Sequence, residues 1–212
     1  MKNQYDGLAF VYDRLSRMLG RSYRESKFAL LEVLQPGYKV LYLGGGTGEN
    51  LPAMLERIGD SGKLVYVEAS ERMIEKARSS VGTESSSRII FLHQADFEPI
   101  PLDQYNIVVT QYLLDILEDR DLAALAQAVN KRTDVNSRWI FVDFFPVKKK
   151  RYLLGLMILF FRIFTRNPRK GLPDYREFLS QSGWTIIERV SYEGGFIQAW
   201  LMGRGVGTDG RR

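Results

Sequence analysis

The sequence predicts an α/β fold: a mostly parallel sheet with helices on both faces. Three observations lead there. Strand-like and helix-like segments alternate from residue 39 to residue 144. An apolar strand ends in a run of glycines that opens directly into a helix, and the C-terminal part carries a strand hairpin.

Residues 5–34 read as helical, with apolar positions at Leu8, Tyr12, Leu15 and Leu19, then Phe28, Leu31 and Leu34, and Pro36-Gly37 closes the region. The alternation follows as strand Lys39–Leu43, helix Asn50–Ile58, strand Lys63–Val67, helix Glu71–Val81 and strand Arg88–Gln94. Strand Asn106–Thr110, helix Asp121–Arg132 and strand Trp139–Phe144 continue it. Met73, Ile74, Ala77 and Val81 share one helix face, as do Leu122, Leu125 and Val129. Strands alternating with helices of this kind form right-handed βαβ units. The end departs from that pattern: after helix Tyr175–Ser182, strands Trp184–Ser191 and Phe196–Met202 are joined by a short loop containing Gly194-Gly195, which reads as a hairpin. The predicted organisation is one domain over 1–203, with a helical cap over 1–34 and a basic–apolar lid insertion over 147–172. A Gly- and Arg-rich tail over 204–212, with nothing to bury, is expected to be mobile.

The 212 residues include no cysteine and one histidine, His93, so the chain has no thiolate nucleophile, disulfide, zinc–cysteine or multi-histidine site. The stretch Met1 to Tyr12 carries charge and lacks the apolar core of a signal peptide. The expectation is a reduced, cytoplasmic protein, at most peripheral at the inner membrane surface. The net charge of +5 is local. Lys148, Lys149, Lys150, Arg151, Arg162, Arg166, Arg169 and Lys170 fall between Phe144 and Pro173 without an acidic residue, leaving 22 of the 30 basic residues to face all 25 acidic ones elsewhere.

The residues that carry chemistry sit at predicted strand ends, where ligands bind in open α/β sheets. Val40-Leu41-Tyr42-Leu43 runs into Gly44-Gly45-Gly46-Thr47-Gly48, a G-x-G-x-G loop. It does not fit G-x-G-x-x-G, because Glu49 stands at the sixth position, and it lacks the Lys of a P-loop. That disfavours a dinucleotide or a triphosphate and favours an adenosyl ligand without phosphate. Glu68 closes the second strand, where a carboxylate can accept from both ribose hydroxyls. Asp96 follows the third strand, suited to accept from an adenine amino group. Each alone could be a solvated carboxylate or a helix cap; in this order and spacing they form a constellation.

Gly44–Gly48, Glu68, Asp96 and the terminal hairpin resemble the class I S-adenosylmethionine-dependent methyltransferases, over Leu34 to Met202. The resemblance implies a Rossmann-like seven-stranded sheet in the order 3-2-1-4-5-7-6 with strand 7 antiparallel. It implies S-adenosyl-L-methionine as cosubstrate, with Gly44, Gly46 and Gly48 beside its methionine part, Glu68 on the ribose, and Asp96 with the backbone of Phe97 on the adenine. Met73 matches a residue packed on the adenine, and Gln111 the position facing the sulfonium. Tyr5-Asp6 and Tyr12-Asp13 resemble the N-terminal helices of the ubiquinone/menaquinone and phospholipid methyltransferase branch, where such a tyrosine as Tyr12 closes over the cofactor. One position departs: the acidic residue that commonly precedes the loop, helping to orient it and the cofactor's ammonium end, is Tyr42 here.

In-line placement and desolvation supply most of the rate of methyl transfer, and a base is needed only for a nucleophile that holds its proton tightly. His93, inside a strand pattern, reads first as a packed structural residue and second as a base. Asp115, in Leu113-Leu114-Asp115-Ile116 past the fourth strand, is the other candidate base, against a loop or cap role. No metal site is expected. The apolar run Tyr152–Phe164 is too short to span a bilayer. With its basic flanks it suits a lid on an anionic membrane surface through 148–170, against a buried helix or a homodimer contact. The function expected is methylation of a small apolar or amphipathic acceptor, a quinone precursor or lipid head group. A non-catalytic adenosyl-binding scaffold is the alternative. An RNA methyltransferase is disfavoured, as Leu and Phe dominate the basic segment.

Overall fold

The computed structural model describes residues 19–82, 87–97, 100–101, 103–165 and 171–205. Tyr5, Asp6, Tyr12, Asp13, Arg166, Arg169, Lys170 and the tail beyond residue 205 lie outside them. Seven strands form one sheet in the order β3-β2-β1-β4-β5-β7-β6. They are β1 Lys39–Leu43, β2 Lys63–Glu68, β3 Ile89–His93, β4 Ile107–Gln111, β5 Arg138–Phe144, β6 Trp184–Tyr192 and β7 Ile197–Arg204. β1 to β5 pair in parallel, and β7 runs antiparallel to both β5 and β6. The hairpin is what lets the chain close a parallel sheet with an antiparallel strand.

The strands alternate their apolar side chains between two buried faces, as parallel sheets do. Val40, Tyr42, Tyr66 and Val109 meet α1 (19–28), α2 (Leu51–Ile58), Ala77 of α3 (Glu71–Ser79) and Met157 of α5 (Arg151–Thr165). Leu41, Leu43, Val67 and Trp139 meet α4 (Asp119–Asn130) and α6 (Tyr175–Gln181). β7 continues two residues beyond its predicted end. Gly203 pairs with Arg138 and Thr185, and Arg204 donates to Asn130 Oδ1 at 2.7 Å. Those pairings hold the start of the predicted tail in the sheet.

α5 is half in and half out. Leu153, Leu154 and Met157 pack on the core, whereas Tyr152, Leu156 and Leu159 are exposed, Tyr152 by 77%. At its root, Lys150 Nζ bonds Glu193 Oε2 at 2.7 Å, and Ser22 of α1 donates to Glu193 Oε1 at 2.8 Å. Glu193, in the β6–β7 turn, thereby ties α1, the hairpin and the root of α5 together. Among the described residues no helix is long and apolar enough to cross a membrane.

Candidate active site

The carboxyl ends of β1, β2 and β4 open onto a cleft continuous with solvent. β1 delivers the glycine loop to it. Gly44, Gly46 and Gly48 have φ of 63°, 65° and 70°, a region costly for any residue with a Cβ. Gly45 is needed for a different reason: a Cβ there would stand 2.2 Å from the Tyr66 ring. A Cβ on Gly46 would meet only Met73 Sδ, at 4.0 Å, so this part of the loop presents bare backbone to the cleft.

β2 holds the loop. Glu68 accepts from Gly46 N–H and from Ser70 N–H, both at 2.9 Å, and the Tyr66 hydroxyl donates to Gly46 O at 2.8 Å. Tyr66 and Glu68 are two residues apart on one strand and so share a face. Glu68 is 7% exposed, and its burial lifts the carboxyl above the usual 4.5, against the lowering effect of the backbone N–H groups. Ser70 caps α3 by accepting from Met73 N–H, which sets Met73 against the loop.

The floor towards β4 is a neutral network. Tyr42 donates to Gln111 Oε1 at 2.8 Å, and Asn50 Nδ2 reaches the same oxygen at 3.1 Å. Gln111 Nε2 and Asn50 Nδ2 both donate to the Lys27 carbonyl, at 2.9 and 2.8 Å. Asn50 stands at the N-cap of α2, yet its side chain serves this network rather than the helix end. Burial pushes the Tyr42 hydroxyl well above its usual range, so it stays protonated. Beyond Gln111 the chain turns at Tyr112, in a left-handed conformation with φ 54°, and its hydroxyl lies 2.5 Å from Ser26 Oγ. Tyr23, Tyr112, Leu113, Ile116 and Leu117 form an aromatic and aliphatic wall beside Gln111.

Of the residues singled out in the sequence, Gly44, Gly46, Glu68, Met73, Phe97 and Gln111 line this cleft. Gly48 serves the helix behind it, since a Cβ there would press on Leu51 and Ala77 at 2.7–2.9 Å. Asp96 is exposed, between cleft-lining Ala95 and Phe97, and its carbonyl accepts from Gln94 Nε2. Tyr12 lies outside the described residues. The expectation of a packed His93 is corrected: it is exposed at the end of β3, with Nε2 3.1 Å from Ala69 O. Asp115 is buried in the short turn Leu114–Ile116, whose neighbours Leu113 and Ile116 line the cleft while Asp115 does not. Asp143, at the end of β5, accepts from the N–H groups of Leu114 and Asp115. Burial, and then the nearby Asp115 carboxyl, hold Asp143 well above the carboxylate range. Sequence reading missed Lys27, Asn50, Tyr66, Tyr112 and Asp143. Only Tyr66 carried a local signal, its same-face spacing from Glu68.

The strand order with its antiparallel β7, together with a glycine loop braced by an acidic β2 terminus, is the architecture of the class I S-adenosylmethionine-dependent methyltransferases. Residues 40–134 match the family model described as a methyltransferase domain. Among curated proteins the chain is similar to ubiquinone/menaquinone methyltransferases. It is 30% identical over 115 residues to the ubiquinone/menaquinone biosynthesis C-methyltransferase of Paraburkholderia phymatum, covering 54% of this chain and 46% of that one. The chain thus spans about half the length of that relative. Among solved structures, a SAM-dependent methyltransferase from Aquifex aeolicus shares the fold with a TM-score of 0.64 at 16% identity, covering 90% of this chain and 96% of that one. The complex between the Haloferax volcanii Trm112 methyltransferase activator and a putative methyltransferase gives 0.69 at 15% identity, over 96% and 97% of the two chains.

Proposed function

We propose that this chain transfers a methyl group from S-adenosylmethionine to a small apolar or amphipathic acceptor. The observation that carries the reading is the continuity of one cleft. A bare glycine loop, a buried carboxylate and a wall of Tyr23, Tyr112, Leu113, Ile116 and Leu117 all line it. The residues fit an adenosyl amino acid: Glu68 suits ribose hydroxyls, Met73 and Phe97 suit a flat base, and the loop backbone admits the chain that follows. When bound, that cosubstrate supplies an electrophilic methyl on a positively charged sulfur. The chain's own part is then to orient and to exclude water. Gln111, fixed by Tyr42, Asn50 and the Lys27 carbonyl, presents a stationary polar group in the cleft, and the apolar wall would keep the acceptor dry.

Quinone precursors and lipid head groups are the first acceptors to test, supported by the apolar wall and by what the Paraburkholderia relative is named for. Calorimetric titration with S-adenosylmethionine and S-adenosylhomocysteine, followed by transfer of labelled methyl to a quinol precursor, tests the proposal. Absence of binding by both ligands sinks it. Binding without transfer to any acceptor would favour a non-catalytic adenosyl-binding protein.

Peripheral contact with an anionic membrane is part of this proposal. Exposed Tyr152, Leu156 and Leu159 form an outer apolar stripe on α5, with exposed Lys148, Lys149, Arg151 and Arg162 about its ends. Apolar insertion and attraction to anionic lipid would act together there.

A further inference from the structure

A zwitterionic ligand end needs two opposite charges within reach of one another. Among the described residues lining the cleft, Lys27 carries the sole cationic side chain, and Glu49 and Glu68 carry the acidic ones. Glu68 is committed to Gly46 and Ser70 at the ribose end. Tyr42, at the loop's root, is a neutral phenol bonded to Gln111. That leaves Lys27 and Glu49, whose Nζ and Oε2 are 3.2 Å apart.

We propose that the Lys27–Glu49 pair is the specificity device for the amino-acid end of the adenosyl ligand, Lys27 reading its carboxylate and Glu49 its ammonium. The inference rests on the methyltransferase reading of the same cleft. The pair has no net charge, so it suits an α-amino acid and disfavours a ligand with a net charge at that end. An ammonium has three donors and a carboxylate several acceptor sites, so the two can hold one another and still bind. Their exposures, 16% and 44%, leave them in reach of solvent and therefore of a ligand. Lys27 is also well fixed. Its carbonyl receives Gln111 and Asn50, and its Nζ lies 4.6 Å from the centre of the Tyr23 ring. Glu49 sits one residue before the N-cap of α2, at the end of the glycine loop, where the ligand's chain would emerge.

The pair also accounts for Tyr42. Two tasks, bracing the loop and meeting a ligand ammonium, could fall to a single carboxylate at the end of β1. Here the first is carried by Tyr66 and Glu68 from β2, and the second moves seven residues on to Glu49. The end of β1 is then free to hold a phenol, which stacks edge-on against Tyr66 at 5.3 Å.

The test compares two ligands by calorimetry on the full chain: S-adenosylhomocysteine, which has the amino-acid end, and 5′-methylthioadenosine, which lacks it. Wild type should bind the first at least about tenfold more tightly, as expected of charge-assisted bonds. Lys27→Met and Glu49→Gln should each weaken S-adenosylhomocysteine about tenfold while changing 5′-methylthioadenosine by less than about twofold. Equal losses for both ligands would mean that the pair only closes the cap, and no loss for either would remove it from the site; each result overturns the proposal. If Lys27→Met melts early by circular dichroism, the more exposed Glu49→Gln decides alone. A wild type that binds neither ligand fails the methyltransferase reading itself, an outcome visible before any variant is made.

Discussion

Replacing Glu68 separates what this carboxylate does for the fold from what it does for a ligand. In Glu68→Ala the N–H groups of Gly46 and Ser70 lose acceptors at 2.9 Å, and each buried donor left unpaired costs about 1–3 kcal/mol. Part of that is returned, because the fold disfavours the ionised carboxyl through burial. Glu68→Gln keeps one acceptor oxygen and turns its NH2 towards the other N–H, so its stability should lie between wild type and Glu68→Ala. Ligand binding should fall in both. A charge-assisted hydrogen bond to a ribose hydroxyl is worth about 1.5–3 kcal/mol, a loss of about tenfold to somewhat over a hundredfold in affinity. The pH dependence carries opposite signs. With a folded-state pKa above 4.5, the stability Glu68 contributes is full below its unfolded value and is lost as pH rises through the raised one. Binding, which uses the carboxylate, should strengthen across that same rise. The Gln variant should show neither dependence. Urea unfolding and calorimetry with S-adenosylhomocysteine, run from pH 4 upward, read both. A folded Glu68→Gln protein with wild-type affinity would refute the assignment.

Gly45→Ala should destabilise by about 1–3 kcal/mol, because its Cβ meets a Tyr66 ring wedged between Tyr42 and Phe91. Combining it with Tyr66→Leu should return a coupling above about 1 kcal/mol in a denaturation cycle, and simple additivity would count against the clash. Asp96→Ala is expected to weaken S-adenosylhomocysteine and 5′-methylthioadenosine alike, by about 1 kcal/mol, since both carry the adenine; unchanged titrations would remove Asp96 from the site. The full chain should sediment with anionic liposomes at low salt, stay in solution with neutral ones, and be released as salt rises. Replacing Lys148, Lys149, Lys150 and Arg151 with Gln should abolish that dependence without altering cofactor affinity. A wild type indifferent to anionic lipid would return the outer stripe of α5 to a dimer contact.

The G-x-G-x-G loop was legible because backbone curvature and close approach restrict residue choice locally, and the three positive φ values fall on those glycines. Glu68 was legible for a related reason: an apolar run of strand length, followed by a capped helix, marks its own end. Asp115 shows where such reading stops. Its position past the fourth strand was plain, but its burial beside Asp143 depends on β5, twenty-eight residues away. His93 likewise fitted a buried strand pattern, yet it ends an edge strand and is exposed there.

By itself the sequence determined the order and kind of the elements, the antiparallel closure, and the backbone shape of the loop. These follow from local periodicity and from what glycine alone permits. The tertiary structure decided which side chains share the cleft. Tyr66 braces the loop because β1 and β2 align Tyr42 with Tyr66 in register. Lys27 faces Glu49 because α1 brings Tyr23 and Lys27 to the cleft, and Gln111 is held by Tyr42 and Asn50 from two other elements. Such pairings depend on strand order, register and helix docking, which arise from packing the whole core and leave no period in the chain.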